Sequence, residues 1–202
     1  MREIAPGLWH WSAVHPHTHW PAHSYYLETE RVAIDPMLPP AAFEWFASHT
    51  TPQHTLLTNR HHDRDAWRLH ELFGTDVHCV RAGIYELEGR GPVTAFDFGD
   101  ELPGDVLSCE VGGICPDETA LYIAAHAALA CADGVVRRPG EDRLTFVPDS
   151  LMDDPQETKM SLRNAYGRLA DELDFELLLL AHGDPVARGG NEALREFARV
   201  TR

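Results

Sequence analysis

LLTNRHHDRD, residues Leu56 to Asp65, begins as an apolar run of strand length and stops in a knot of histidines, aspartates and arginines. A buried strand that delivers a site to its C-terminal end has this form. The stretch that follows, DAWRLHELFG, sets Ala66, Leu69, Leu72 and Phe73 on one helical face and stops at Gly74. Strand, ligand-rich turn and helix predict an α/β or α+β chain with its chemistry at a strand end.

The chain around this stretch has 202 residues, 44% of them hydrophobic, enough to bury a sizeable core in one domain spanning 1–202. Its formal charge of -15, from 17 basic and 32 acidic residues, repels phosphate backbones and anionic lipid surfaces. Nucleic acid and membrane are therefore not expected partners, and a small-molecule substrate or ligand is. The N-terminus MREIAPGLWHW has no basic segment ahead of an apolar core, and no stretch approaches the roughly 20 apolar residues of a membrane span. A cytoplasmic location is the expectation. Cys79, Cys109, Cys115 and Cys131 form no C-x-x-C pair and read as small core residues. Histidine is more telling: there are 13, with dense groups at His15, His17, His19 and His23 and again at His61 and His62, which makes metal binding a reading to test.

Taken in order, Glu3 to Val14 and Ser24 to Ile34 read as strands joined by the loop HPHTHWPAH. A turn at Asp35–Pro36 then leads to a helix carrying Phe43, Trp45 and Phe46. His54 to Thr58 and Asp76 to Val80 are further strands, two modest strand signals lie between Val93 and Cys109, and Ala120 to Ala125 pairs with Ala128 to Cys131 around His126. Thr158 to Leu173 has helical spacing, ELLLLA is an apolar strand ending in HGDP, and Asn191 to Val200 is a last helix. No repeat, low-complexity segment or long linker divides the chain.

Three apolar strands thus end in ligand-type residues: LLT before NRHHDRD, ALACA before Asp133, and LLLLA before His182. In order and spacing the pattern resembles the metallo-β-lactamase superfamily, in its glyoxalase II or lactonase-like branch. Asp35 in AIDP looks like the aspartate after the early strand, and TNRHHDRD falls where the family carries T-H-x-H-x-D-H. GGICPDET falls at the G-H-x-P segment, ACADG resembles the strand ending in the bridging aspartate, and LLLLAHGDP resembles the strand ending in the last histidine. The resemblance implies a four-layer αββα sandwich with a site along one edge.

Residue by residue the resemblance implies metal ligands at His61, Asp63, Asp133 and His182, while Asn59, Arg64 and Ile114 replace histidines, a degenerate motif. Each ion of a zinc pair needs about three protein ligands and an open position. The first family site, left with Asn59, His61 and Ile114, is effectively lost. The second keeps Asp63, Asp133 and His182, with His61 or His62 assisting, and suits at most one divalent zinc, iron or manganese ion, or none. Arg64 is expected to pair with Asp63 or Asp133 where no metal is held, or to bind an anionic substrate group. His17 and His19, with His15, would share a face if the loop were extended and overhang the site. Two readings stay open: a mononuclear-metal hydrolase of an ester, thioester or lactone, with Asp63, Arg64 and His61 acting in catalysis, or a non-catalytic, metal-free member that binds a small ligand or partner. The sequence carries no signature of oligomeric state.

Overall fold

The computed structural model describes residues 1–199. Its first sheet has seven strands in chain order: β1 (Arg2–Ala5), β2 (Leu8–Val14), β3 (Pro21–Leu27), β4 (Val32–Ile34), β5 (His54–Leu56), β6 (Asp76–Val80) and β7 (Thr94–Phe96). The first four pair antiparallel and the rest parallel. The second sheet holds β8 (Glu101–Leu102), β9 (Val106–Glu110), β10 (Thr119–Ile123) and β11 (Ala128–Cys131); a separate hairpin of β12 (Val136–Arg137) and β13 (Leu144–Thr145) follows, and β14 (Leu177–Leu180) returns to pair parallel with β11. The helices are α1 (Ala42–Ser48), α2 (Ala66–Phe73), α3 (Pro155–Glu172) and α4 (Gly190–Arg199).

Period-2 alternation sends the apolar side chains of these strands to both faces of each sheet. Tyr25, Leu27, Ile34 and Leu56 of the first sheet meet Leu121, Ala128, Ala130, Leu177 and Leu179 of the second, filling the space between the sheets. On the outer face of the first sheet Tyr26 and Ala33 pack on Ala42 and Phe46 of α1 and Leu69 of α2. On the outer face of the second, Leu129, Cys131, Leu178 and Leu180 pack on Leu162, Tyr166 and Leu169 of α3 and Leu194 and Phe197 of α4. Helix, sheet, sheet and helix therefore form the expected four-layer αββα sandwich. Four free cysteines are all buried.

Some boundaries differ from expectation. Glu3 to Val14 is a hairpin rather than one strand, because Gly7 at φ 73 turns the chain, and Ser24 to Ile34 is broken at Arg31, φ 59. The loop HPHTHWPAH is shorter than it reads: Val14 pairs with Pro21, and His15 N–H bonds Trp20 carbonyl. Helix α3 starts at Pro155, ahead of Thr158, since the Asp154 carboxylate accepts from the Gln156 and Glu157 amides at 3.0 Å and proline fits the first helical position. The last helix is described to Arg199; Val200 lies outside the described residues. No helix among the described residues is long and apolar enough to cross a membrane.

Candidate metal centre

Parallel pairing brings distant residues together. Cys131 is in register with Leu180, so Asp133 and His182, each two positions beyond the matched pair, leave the second sheet side by side. In the first sheet Ile34 is in register with Leu56, which sets Asp35 beside the start of the histidine knot. The two sheet ends face each other there: Asp133 Oδ1 lies 3.1 Å from His182 Nε2 and 3.3 Å from His62 Nε2. These three residues offer ligand atoms within 4.8 Å of one another.

His62 is fixed from behind. Its Nδ1 lies 2.9 Å from Asp35 Oδ2, and Asp35 in turn accepts the Thr58 amide at 2.8 Å and the Thr58 hydroxyl. Asn59 is fully buried and does two things: Oδ1 accepts the His61 amide at 2.9 Å, capping the short 3-10 turn Arg60–His62, and Nδ2 donates to Asp133 Oδ2 at 2.9 Å. Burial alone would discharge His62, but the carboxylates of Asp133 and Asp35 outweigh it and push its pKa up to about 9. Burial likewise opposes charge on Asp133, yet His62 and His182 hold that carboxyl well below its usual range. The buried Asp35 carboxylate, the partly exposed Asp133 carboxylate and the imidazolium between them are thus mutually stabilised.

The other residues singled out in the sequence lie elsewhere. The Asp63 carboxylate is ion-paired with Arg90, and His61 turns outward toward Glu86, Nδ1 to Oε2 3.9 Å. Arg64 pairs with neither Asp63 nor Asp133: its Nη1 donates to the carbonyls of His23 and Asp35, both at 2.8 Å, clamping the ends of β3 and β4. His62 supplies the cation expected of Arg64. Ile114 packs against apolar residues, among them Val136 and Val147. His15, His17, His61, Asp63, Arg64 and Arg90 line a groove of about 360 Å³ beside the cluster. His19, at φ 59, closes a turn onto the His15 carbonyl, so the loop histidines do not alternate along an extended face. A larger hollow of about 850 Å³ lies between β13 and the outer helices, remote in the fold from these groups.

Sequence reasoning gives His62 only an assisting role and assigns none to His10. His10 on β2 and His23 on β3 are buried, with His10 Nε2 2.9 Å from His23 Nδ1. Burial lowers both to about 4, so they are neutral imidazoles at neutral pH. No local signal separates His62 from His61; the Thr58 hydroxyl and Asp35, each 2.9 Å from His62 Nδ1, select it only in the fold.

The pair of metals that the sequence resemblance implies can be tested against these donors. Two ions ask for about six protein ligands, whereas three converge; Asn59 is committed to hydrogen bonds, Asp63 to Arg90, and Ile114 has no donor. A pair does not fit. A single ion does: two imidazoles and one carboxylate converge, and the side chains of His182 and Asp133 are 24% and 18% exposed, leaving an approach from solvent.

The four layers and the site at their edge define a metallo-β-lactamase fold. A β-lactamase domain protein from Burkholderia ambifaria superposes with a TM-score of 0.72 at 16% identity, over 97% of this chain and 74% of that one. A metallo-β-lactamase family protein from Thermus thermophilus gives 0.67 at 15%, over 97% and 78%. A protein solved in a di-iron-bound form gives 0.67 at 21%, over 93% and 99%. Comparison with family models and with curated proteins found no match.

Proposed function

We propose that the chain is a mononuclear-metal hydrolase of an ester, thioester or lactone, with one divalent zinc, iron or manganese ion held by His62, Asp133 and His182. The observation that carries this reading is the orientation of His62. Metal-bound histidines characteristically give their second ring N–H to a carboxylate, and Asp35 Oδ2, 2.9 Å from Nδ1, is placed to accept it while Nε2 faces Asp133. Such an ion, when bound, lowers the pKa of water and polarises a carbonyl. Asp35 and Thr58 would then hold the ring of His62, Asn59 would fix the Asp133 carboxylate, and the groove lined by His15, His17 and Arg90 would receive the substrate, with His61 there to carry a proton. The di-iron neighbour makes iron a reasonable occupant. Net charge favours a small molecule over nucleic acid or membrane, and four free cysteines favour a reducing, cytoplasmic setting.

A second reading, a metal-free member of the degenerate kind that binds a small ligand or partner, draws on the His62 imidazolium, which already balances Asp35 and Asp133. One experiment separates them. Protein purified without chelator is analysed for metal and assayed on ester, thioester and lactone panels alongside His182→Ala. The hydrolase reading expects turnover that collapses in the variant together with the loss of one bound ion; a metal content the same in wild type and variant, or rates indifferent to His182, would leave the metal-free reading.

A further inference from the structure

We propose that His10, His23 and Asp184 form a second divalent-metal site, separate from His62, Asp133 and His182, at the edge where β2 and β3 face the end of β14. The proposal does not rest on the hydrolase reading.

His10 pairs in register with Tyr25, and His23 is two residues before Tyr25, so both rings stand diagonally on the inner face of the first sheet. They stack at 5.1 Å between centroids with planes 10° apart, and His10 also stacks on Tyr25 at 5.2 Å. Two histidines enclosed in this way are confined to one geometry, with little rotamer freedom left to lose on binding. The third group comes from the loop after β14. His23 N–H bonds the Ala181 carbonyl at 2.9 Å, which seats that loop against β3, and Gly183 at φ 115 turns it. The turn sends His182 to Asp133 on one side and Asp184 to the two imidazoles on the other.

The ligand atoms of His10, His23 and Asp184 all lie within 4.8 Å of one another, with the two nitrogens 2.9 Å apart. Ligands about 2.1 Å from one ion are about 3.0 Å apart at right angles and about 3.4 Å apart at the tetrahedral angle, so the imidazole pair, 2.9 Å apart, needs only a small shift to serve as two neighbouring ligands. A carboxylate completes a two-histidine, one-carboxylate face, a donor set that suits zinc or ferrous iron. Asp184 is exposed while both histidines are buried, so the face opens to solvent through the carboxylate and leaves positions for water. A hydrogen bond between two neutral imidazoles would also explain 2.9 Å, but it gives no role to the carboxylate brought beside them.

The test uses the full chain, stripped with chelator and titrated with Zn2+ by calorimetry, with bound zinc counted by elemental analysis. Wild type is expected to bind one ion at this site, in addition to any ion held by His62, Asp133 and His182. Asp184→Ala, an exposed change that leaves the core intact, should bind one ion fewer than wild type, or bind that ion at least tenfold more weakly. The double variant His62→Ala with His182→Ala should keep one ion, which distinguishes failure of the hydrolase reading from failure of this one. Histidine ring NMR signals, assigned with His10→Gln and His23→Gln, should shift on Zn2+ addition in wild type. Zinc stoichiometry and affinity unchanged in Asp184→Ala, or His10 and His23 signals that do not move, would overturn the proposal.

Discussion

Asp35 has a backbone φ of 46, a conformation that non-glycine residues seldom adopt but that aspartate and asparagine tolerate best. Its carboxylate thereby reaches the Thr58 amide and the His62 ring together. Asp35→Asn should keep the backbone and lose the charged acceptor behind His62; Zn2+ affinity should fall about 10- to 100-fold, read by competition with a chromophoric chelator. Unchanged affinity would mean that His62 is oriented by something else. Glu118, fully buried below the Asp133 loop, accepts the Gly134 amide at 2.6 Å and the Ile114 amide at 3.2 Å. Burial first, and then the nearby Asp133 charge, push its pKa from 4.5 up to about 8. The folded chain therefore keeps a proton that the unfolded chain has released: this contribution to stability is full below pH 4.5 and is lost as pH rises toward about 8. Glu118→Gln should flatten that part of the pH dependence of urea unfolding, and parallel wild-type and variant curves would show that Glu118 is ionised in the fold.

At the scale of elements, a few turns do most of the positioning, and the one at Gly183 is the most constrained. A Cβ there would sit 2.2 Å from the Arg137 carbonyl oxygen, and φ 115 is outside what side chains accept. Gly183→Ala should cost about 1–3 kcal/mol from backbone conformation alone, with the clash adding to it, and should weaken zinc binding because His182 moves with the turn. Chemical denaturation and zinc titration of the same sample check both. The strands themselves are legible in the sequence because LLT, ALACA and LLLLA are local apolar runs, each closed by a polar group at its end. Which histidine of the knot faces Asp133 is not local information. Residues Arg60–His62 form a 3-10 turn in which successive side chains point about 120° apart, so a shift of one position exchanges a buried ring for an exposed one. The choice of His62 follows from the buried Asp35 and Thr58 behind it, and the Asp35 contact comes from a different strand. His10 escapes a sequence reading for the same reason: its neighbour His23 lies across a strand pair and Asp184 at the opposite end of the chain.

For the whole molecule the arrangement has a thermodynamic consequence. His62 follows β5 of the first sheet, whereas Asp133 and His182 follow β11 and β14 of the second, so the centre ties together two sheets that otherwise meet through apolar packing and through bonds such as Tyr25 hydroxyl to the Leu180 carbonyl, 2.8 Å. An ion bound there engages only the folded state, because unfolding separates ligands drawn from both layers. Free zinc at about 100 times its dissociation constant should then raise the unfolding free energy by about 2.7 kcal/mol, provided the unfolded histidines bind weakly. Thermal unfolding with excess Zn2+ against chelator should show a higher midpoint with the metal. His182→Ala should lose the part of that rise due to this centre, and Asp184→Ala the part due to the second site. A midpoint that zinc leaves unchanged in wild type would mean that neither cluster holds an ion in the folded chain, and that the charge balance of Asp35, His62 and Asp133 is complete without one.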